Sequence, residues 1–209
     1  MKKPSHIGIA RERKKALVIV AHPDDETIWM GGTILENHKW DWTIISLCRK
    51  EDPDRMPKFK KVCEFYNAEG IISDLDDEIL EPLEIEEVIK KIKSLLPEKE
   101  YDLVFTHGEN GEYGHLRHME VHKAVKKMIE QDNLKSEKVY YFDYEKSDQS
   151  TPGILDLKIP KPNQNSDYVI TLNEHQYLNK LKLIKEFYGF DGDSFETLSC
   201  NKIEAFSLT

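Results

Sequence analysis

The run Ala16-Leu17-Val18-Ile19-Val20-Ala21 is apolar at every position and stops at once in His22-Pro23-Asp24-Asp25-Glu26. Six small or branched apolar residues without alternation suit a strand covered on both faces of a parallel sheet. Parallel neighbours in turn require crossover connections, usually helical. Ligands of such sheets bind just past the strand C-termini, where this chain places an imidazole and three carboxylates. Pro23 fixes its own φ, favours an extended His22 and can open the following helix. His22 and Asp25, three apart across that turn, then converge while Asp24 points elsewhere, which gives two candidate ligands and one free carboxylate. A plainer reading assigns the acidic residues to the positive end of a helix dipole and His22 to a loop.

A second histidine group weighs against the plainer reading. Tyr101 to Thr106 resembles a strand, and His107-Gly108-Glu109-Asn110-Gly111-Glu112 has the Gly and Asn of a functional βα turn. From His115 to about Asp132 the apolar positions suit a helix, with His115 and His118 one turn apart on one face and Cβ atoms about 5–6 Å apart. His118 and His122, at i and i+4, offer a rival chelating pair. Their Glu120 stands one place off the His-Glu-x-x-His arrangement, so that mechanism does not transfer, and His122 reads as a packed helix residue.

His22-Pro23-Asp24-Asp25-Glu26 together with Tyr113-Gly114-His115-Leu116-Arg117-His118 resembles the LmbE-like, or PIG-L-type, zinc-dependent deacetylases that act on N-acetylglucosaminyl compounds. The resemblance implies one Zn2+ per chain, other divalent metals being possible, held by His22, Asp25 and His118. It implies Asp24 as general base, His115 as the group that stabilises an oxyanion or protonates the leaving amine, and Tyr113 near the reacting carbonyl. Arg49, after the second strand, matches an arginine that binds substrate, a small-molecule N-acetyl sugar. Arg117 departs from the pattern, because relatives often carry an acid or Asn there that orients His115. An arginine would instead depress the His115 pKa, leaving Arg117 to face solvent or bind an anionic substrate group and Glu109 or Glu112 to orient His115.

The chemistry agrees with these roles. Three ligands of mixed nitrogen and oxygen type leave an open position, as in catalytic zinc. Zinc lowers the pKa of its water to about 7 and polarises a carbonyl, so an adjacent carboxylate can take the proton, and the oxyanion then needs donors. The preferred function is removal of an acetyl group from an N-acetyl sugar. The alternatives are a non-catalytic sugar- or metal-binding module, prompted by Arg117, and an amidase acting on a larger thiol or sugar conjugate.

Alternating strand and helix patterns predict an α/β, Rossmann-like three-layer sandwich with a mostly parallel central sheet and the metal site at the strand C-terminal ends. No Gly-x-Gly-x-x-Gly follows the first strand, so a dinucleotide has no support. At 209 residues the chain reads as one domain, with an N-terminal extension over 1–14 and an irregular tail over 189–209. Helices are expected over 26–38, 57–68, 83–96 and 174–188, and loops around one short strand over 147–165. Gly31-Gly32 suggests close packing, under the metal loop or against the sheet. Asp74, Asp76, Asp77 and Glu78 read as a solvated turn, with one member available to orient His115 or hold a sugar hydroxyl. The aromatic pairs read as core.

A net charge of −9 argues against a nucleic-acid partner. The three cysteines show no Cys-x-x-Cys, so neither a disulfide framework nor a cysteine zinc site is expected. No stretch approaches the ~20 apolar residues of a membrane span. A cytoplasmic address follows, with homo-oligomerisation left open.

Overall fold

The computed structural model describes residues 13–79, 81–152 and 157–208. Of the expected 1–14 extension, only Arg13 and Lys14 fall within them. Strands β1 (Lys15–Val20), β2 (Asp41–Ser46), β3 (Glu69–Ile72), β4 (Glu100–Thr106) and β5 (Lys135–Phe142) alternate with helices α1 (Asp25–Glu36), α2 (Arg55–Tyr66) and α3 (Ile85–Leu95). Between β4 and β5 lie a short turn α4 (Gly111–Gly114) and α5 (Leu116–Glu130). After β5 come β6 (Tyr144–Ser150), β7 (Lys158–Pro162), β8 (Tyr168–Thr171), α6 (Glu174–Lys182), α7 (Phe195–Ser199) and β9 (Ile203–Leu208).

The main sheet has the order β3-β2-β1-β4-β5-β9-β8, parallel from β3 through β5 and antiparallel at β9 and β8. The chain runs outward from β1 to β3, then returns to the other side of β1 with β4. β1 and β4 therefore flank the point where the winding reverses, the place where open α/β sheets bind ligands. Ile19 lies opposite Thr106 at that edge, so the segments after β1 and after β4 leave the sheet side by side.

Both faces of β1 are buried, as its uniform composition predicts. Ala16, Val18 and Val20 pack into a core that includes Ile28, Trp29, Phe59 and Phe206. Leu17, Ile19 and Ala21 face the opposite core with Val88, Ile92, Val121 and Val125 from α3 and α5. The three cysteines are free and buried. Among the described residues no helix is long and apolar enough to cross a membrane.

Helix α1 is broken at Met30 (φ −145°, ψ 15°). Past the break, the backbone N–H groups of Gly32 and Thr33 each donate to the Glu204 carboxylate at 2.8 Å, and the Thr33 hydroxyl donates to it at 2.6 Å. Lys180 Nζ donates to the same carboxylate at 2.7 Å, and both charged side chains are wholly buried. Glu204 thus caps a second helical start inside α1. Gly32 packs against Leu172, just after β8, and a Cβ built there would lie 2.3 Å from Leu172 Cδ2. Gly32 therefore serves close packing beside the sheet, whereas a Cβ at Gly31 would meet Tyr66 on α2 and Lys180 on α6. Gly32→Ala is expected to cost about 1–3 kcal/mol through overpacking, read as a lower denaturant midpoint at unchanged slope.

Two readings of the C-terminal third need correction. The tail from Gly189 is not irregular, since β9 is an interior strand between β5 and β8. Glu204 interrupts its apolar pattern, and the partner that makes the burial tolerable, Lys180, sits on another element. Residues 147–165 hold the end of β6 and the whole of β7, which pair antiparallel in a sheet of their own. The expected helix over 174–188 is α6, followed by a π-helical turn at Leu183–Phe187. Asn173 and Gln176 close a capping box at its start.

Candidate metal and catalytic site

The turn after β1 folds on its own side chains. His22 N–H donates to Asp25 Oδ2 at 2.8 Å, and Asp25 N–H donates to the His22 carbonyl at 3.3 Å. Between them Asp24 takes φ 113°, ψ −31°, a left-handed backbone that a residue with a Cβ adopts only when its surroundings impose it. Glu26 supplies part of that constraint by accepting Asp24 N–H at 3.1 Å. Glu26 is itself buried and accepts hydroxyls from Thr27 at 2.6 Å and Tyr188 at 2.8 Å. Burial pushes its pKa up to about 7 against those hydrogen bonds. Tyr188 is delivered by the π-helical turn, a distortion often found at functional sites.

Three potential ligand atoms meet at the reversal point. His22 Nδ1 lies 3.2 Å from Asp25 Oδ2 and 3.2 Å from His118 Nε2, and His118 Nε2 lies 3.3 Å from Asp25 Oδ2. A tetrahedral zinc with bonds of about 2.0–2.1 Å has ligand edges of about 3.3 Å, so this triangle has the size of one face of such a site. Other clusters overlap it: His22 with His115 and His118, Asp25 with His107 and His118, and His22 with Cys48 and Asp77 each gather within 4.8 Å. His107 Nε2 already accepts Ala21 N–H at 3.0 Å, which occupies its lone pair. Burial holds the Cys48 thiol far above its usual range, which disfavours the thiolate a metal requires.

Carboxylates stand behind both imidazoles. His118 Nδ1 donates to Glu112 Oε2 at 2.6 Å, which leaves the lone pair of a neutral ring on Nε2, facing the triangle. His22 Nε2 is 3.1 Å from Asp77 Oδ1, within ion-pair distance but off the hydrogen-bonding angle, and Asp77 Oδ2 accepts from Arg49 at 2.7 Å. Burial works against ionising Asp25, yet the facing His118 and His107 hold its pKa well below the carboxylate range. Asp24 moves the other way, raised by burial and by the Asp25 charge despite Arg55, whose Nη1 donates to Asp24 Oδ2 at 2.6 Å. The Arg55 guanidinium in turn lies 4.5 Å above the Phe190 ring.

A cavity of about 300 Å³ opens onto this cluster, walled by Asp24, Trp29, Arg49, Tyr113, His115 and Phe195 among others. His115 lies edge-on to His22 with centroids 4.8 Å apart, and its Nδ1 is buried without a partner. Burial above all, and then the facing His118 and His22, lower its pKa to about 3, so the ring is neutral at ordinary pH. Burial raises the Tyr113 phenol, which keeps its proton.

The structure thus gathers His22, Asp25 and His118 at one point and sets Asp24, His115, Tyr113 and Arg49 around the adjoining cavity. Arg117 does not join them, and its reading as a substrate-binding or solvent-facing residue is corrected. Its guanidinium is fully buried and donates to the carbonyls of Asp76 and Glu81 and to the Asp76 and Glu120 carboxylates. Four hydrogen bonds engage it, and they tie Asp76 and Glu81 to α5. His122 donates from Nδ1 to the His107 carbonyl at 2.9 Å, as a packed residue does. Glu112 does not orient His115, because both of its oxygens are taken by other donors. From the acidic turn it is Asp77 that reaches the site, toward His22 rather than His115. His107, in a turn with no motif of its own, and Arg55, Phe190 and Phe195, which carry no signal in the sequence, also contribute to the site.

A sequence model of the PIG-L family, described as GlcNAc-PI de-N-acetylase, matches residues 17–129. The chain is 26% identical over 188 residues to the uncharacterised protein L374 of Acanthamoeba polyphaga mimivirus, covering 81% of each. In structure it resembles the N,N'-diacetylchitobiose deacetylase of Pyrococcus horikoshii, with a TM-score of 0.68, 16% identity, and coverage of 95% of this chain and 85% of that one. It also resembles GalB, the 4-carboxy-2-hydroxymuconate hydratase of Pseudomonas putida KT2440, with a TM-score of 0.56, 14% identity, and coverage of 93% and 95%. Likeness at such identities establishes the shared fold, and a fold that also serves a hydratase leaves the activity to be argued from the site. The family match is of another kind, since it runs through both histidine-bearing motifs and over more than half the sequence, and by it the chain belongs to the PIG-L family.

Proposed function

We propose that this protein is a zinc-dependent N-deacetylase that releases acetate from an N-acetylglucosaminyl or related N-acetyl sugar. The observation that carries the reading is the 3.2–3.3 Å triangle of His22 Nδ1, Asp25 Oδ2 and His118 Nε2 beside a carboxylate that is not part of it. Two imidazoles and one carboxylate fit zinc by donor type, and three ligands leave the open position of a catalytic site. A cation bound there supplies Lewis acidity for an amide carbonyl and a lowered pKa for water.

The remaining work falls to the chain. Asp24, facing the cavity and raised above the usual carboxylate range, is a base strong enough to take a proton from attacking water. The neutral His115 ring and the Tyr113 hydroxyl, both on the wall, offer hydrogen bonds to the oxyanion as it develops. A neutral His115 acts in this step as a donor dipole. Protonation of the departing amine then falls to the proton Asp24 has gained.

The wall also narrows the substrate. Its two guanidiniums are already paired, Arg49 with Asp77 and Arg55 with Asp24, while Asp52 and Glu196 add negative charge. Such a wall suits hydroxyl-rich neutral sugars and disfavours phosphorylated ones. The motive for a non-catalytic module weakens with Arg117 buried away from the cavity.

The test is acetate and free-amine release from a panel of N-acetyl sugars. Release is expected from neutral saccharides such as chito-oligosaccharides, in excess over nucleotide sugars, and is expected to be abolished by a chelator and restored by zinc. No release from any member of the zinc-loaded panel would refute the reading.

A further inference from the structure

His22 and Asp25 lie on the turn after β1, and His118 lies on α5, 96 positions from His22. The β1–β4 ladder ends at the Ile19 and Thr106 pair, short of all three ligands. Beyond it, besides the facing ligand atoms themselves, a hydrogen-bonded path through His107 and Glu112 joins the two segments. Ala21 N–H donates to His107 Nε2 at 3.0 Å, so His107 must donate from Nδ1, and it does so to Glu112 Oε2 at 2.9 Å. His118 Nδ1 reaches that same oxygen at 2.6 Å, while Glu112 Oε1 accepts Gly108 N–H at 2.8 Å. The two imidazoles stack with centroids 3.8 Å apart and planes 20° apart. His107, Glu112 and His118 are all wholly buried.

Glu112 occupies an unfavourable backbone. At φ 60°, ψ −53° it lies in a region that glycine tolerates better, beside Gly111 at φ 60°. A non-glycine residue held there costs about 1–3 kcal/mol. The surroundings impose it on the one residue of the loop whose side chain collects three buried donors.

We propose that Glu112 and His107 are a positioning pair that sets the spacing between the two ligand-bearing segments and fixes the tautomer of His118, so that its Nε2 lone pair faces His22 and Asp25. The proposal rests on the metal reading above. Neither residue touches substrate or metal. Glu112 acts through His118, and His107 acts through the backbone next to His22.

The test uses the purified full chain. Zinc affinity is measured by competition with a chromophoric chelator, the Co2+-substituted visible spectrum reports ligand geometry, and the melting temperature of the metal-free protein reports folding. Glu112→Gln keeps the volume but must turn an amide N–H toward Gly108 N–H or toward an imidazole N–H. It is expected to weaken zinc binding about 10- to 100-fold and to change the Co2+ spectrum. His107→Asn can still donate to Glu112 but no longer reaches Ala21 N–H, so a smaller loss in the same direction is expected. That variant carries the test alone if Glu112→Gln does not fold. Wild-type zinc affinity and Co2+ spectrum in the folded variants, with only the melting temperature lowered, would overturn the proposal and leave both residues a purely structural role. Failure of the metal reading itself looks different, since His22→Ala would then bind zinc as tightly as the wild type.

Discussion

Asp24→Asn is expected to lower acetate release by about 100- to 10,000-fold, the range contributed by a positioned general base, while zinc binding stays close to wild type. The separation of effects follows from the geometry. Asp24 stands outside the His22, Asp25 and His118 triangle, and its carboxylate is turned to Arg55. The amide is isosteric, so the unusual backbone at φ 113° need not change. Arg55 loses an ionic partner, but its side chain is 28% exposed and can find water. Elemental analysis beside an amine-release assay reads both quantities on one preparation. Wild-type turnover in this variant would remove Asp24 from the chemistry, and loss of zinc together with turnover would make it a ligand instead of a base.

Glu204→Ala is expected to destabilise the fold by about 3–5 kcal/mol, the cost of breaking a buried ion pair from one side. For a chain of this size that corresponds to a fall in melting temperature of roughly 6–20 °C. The alanine strands the Lys180 ammonium, which is wholly buried, and leaves the Gly32 and Thr33 N–H groups and the Thr33 hydroxyl without their acceptor. Removing both charges, as in Lys180→Met with Glu204→Ala, should recover part of the loss, because a neutral pair leaves no uncompensated charge. A thermal scan of the three proteins is sufficient. A shift of a degree or less in the single variant would show that water or another group reaches Lys180.

The contrast between β1 and β9 shows what the sequence could disclose. β1 is apolar throughout and lies between two parallel neighbours, so its composition alone implied burial on both faces and hence the fold class. β9 is equally interior, yet Glu204 in its middle reads as a surface residue until Lys180 on α6 and the broken turn of α1 are seen around it. The site divides in the same way. His22, Asp25 and His118 belong to compact motifs whose spacing carries meaning. His107 and Glu112 occupy an ordinary-looking turn, and only the stacking of two imidazoles over one carboxylate gives them a part. Arg117 misled because a charge near a histidine motif suggests chemistry, whereas its partners, two carbonyls and two carboxylates, come mostly from a loop some forty positions earlier.

The place of β9 in the sheet also bears on how the molecule is assembled. Among the described residues β8 pairs with no strand but β9, although some thirty residues of α6 and the following segments separate them in the chain. The outer side of β5, from Tyr140 to Phe142, is likewise sealed by that late strand. During synthesis the half carrying both histidine motifs emerges with this aromatic border still open, and an uncovered strand border is a template for pairing with other chains. Interception by a chaperone at that stage would protect the nascent chain until its last strand slots into the gap.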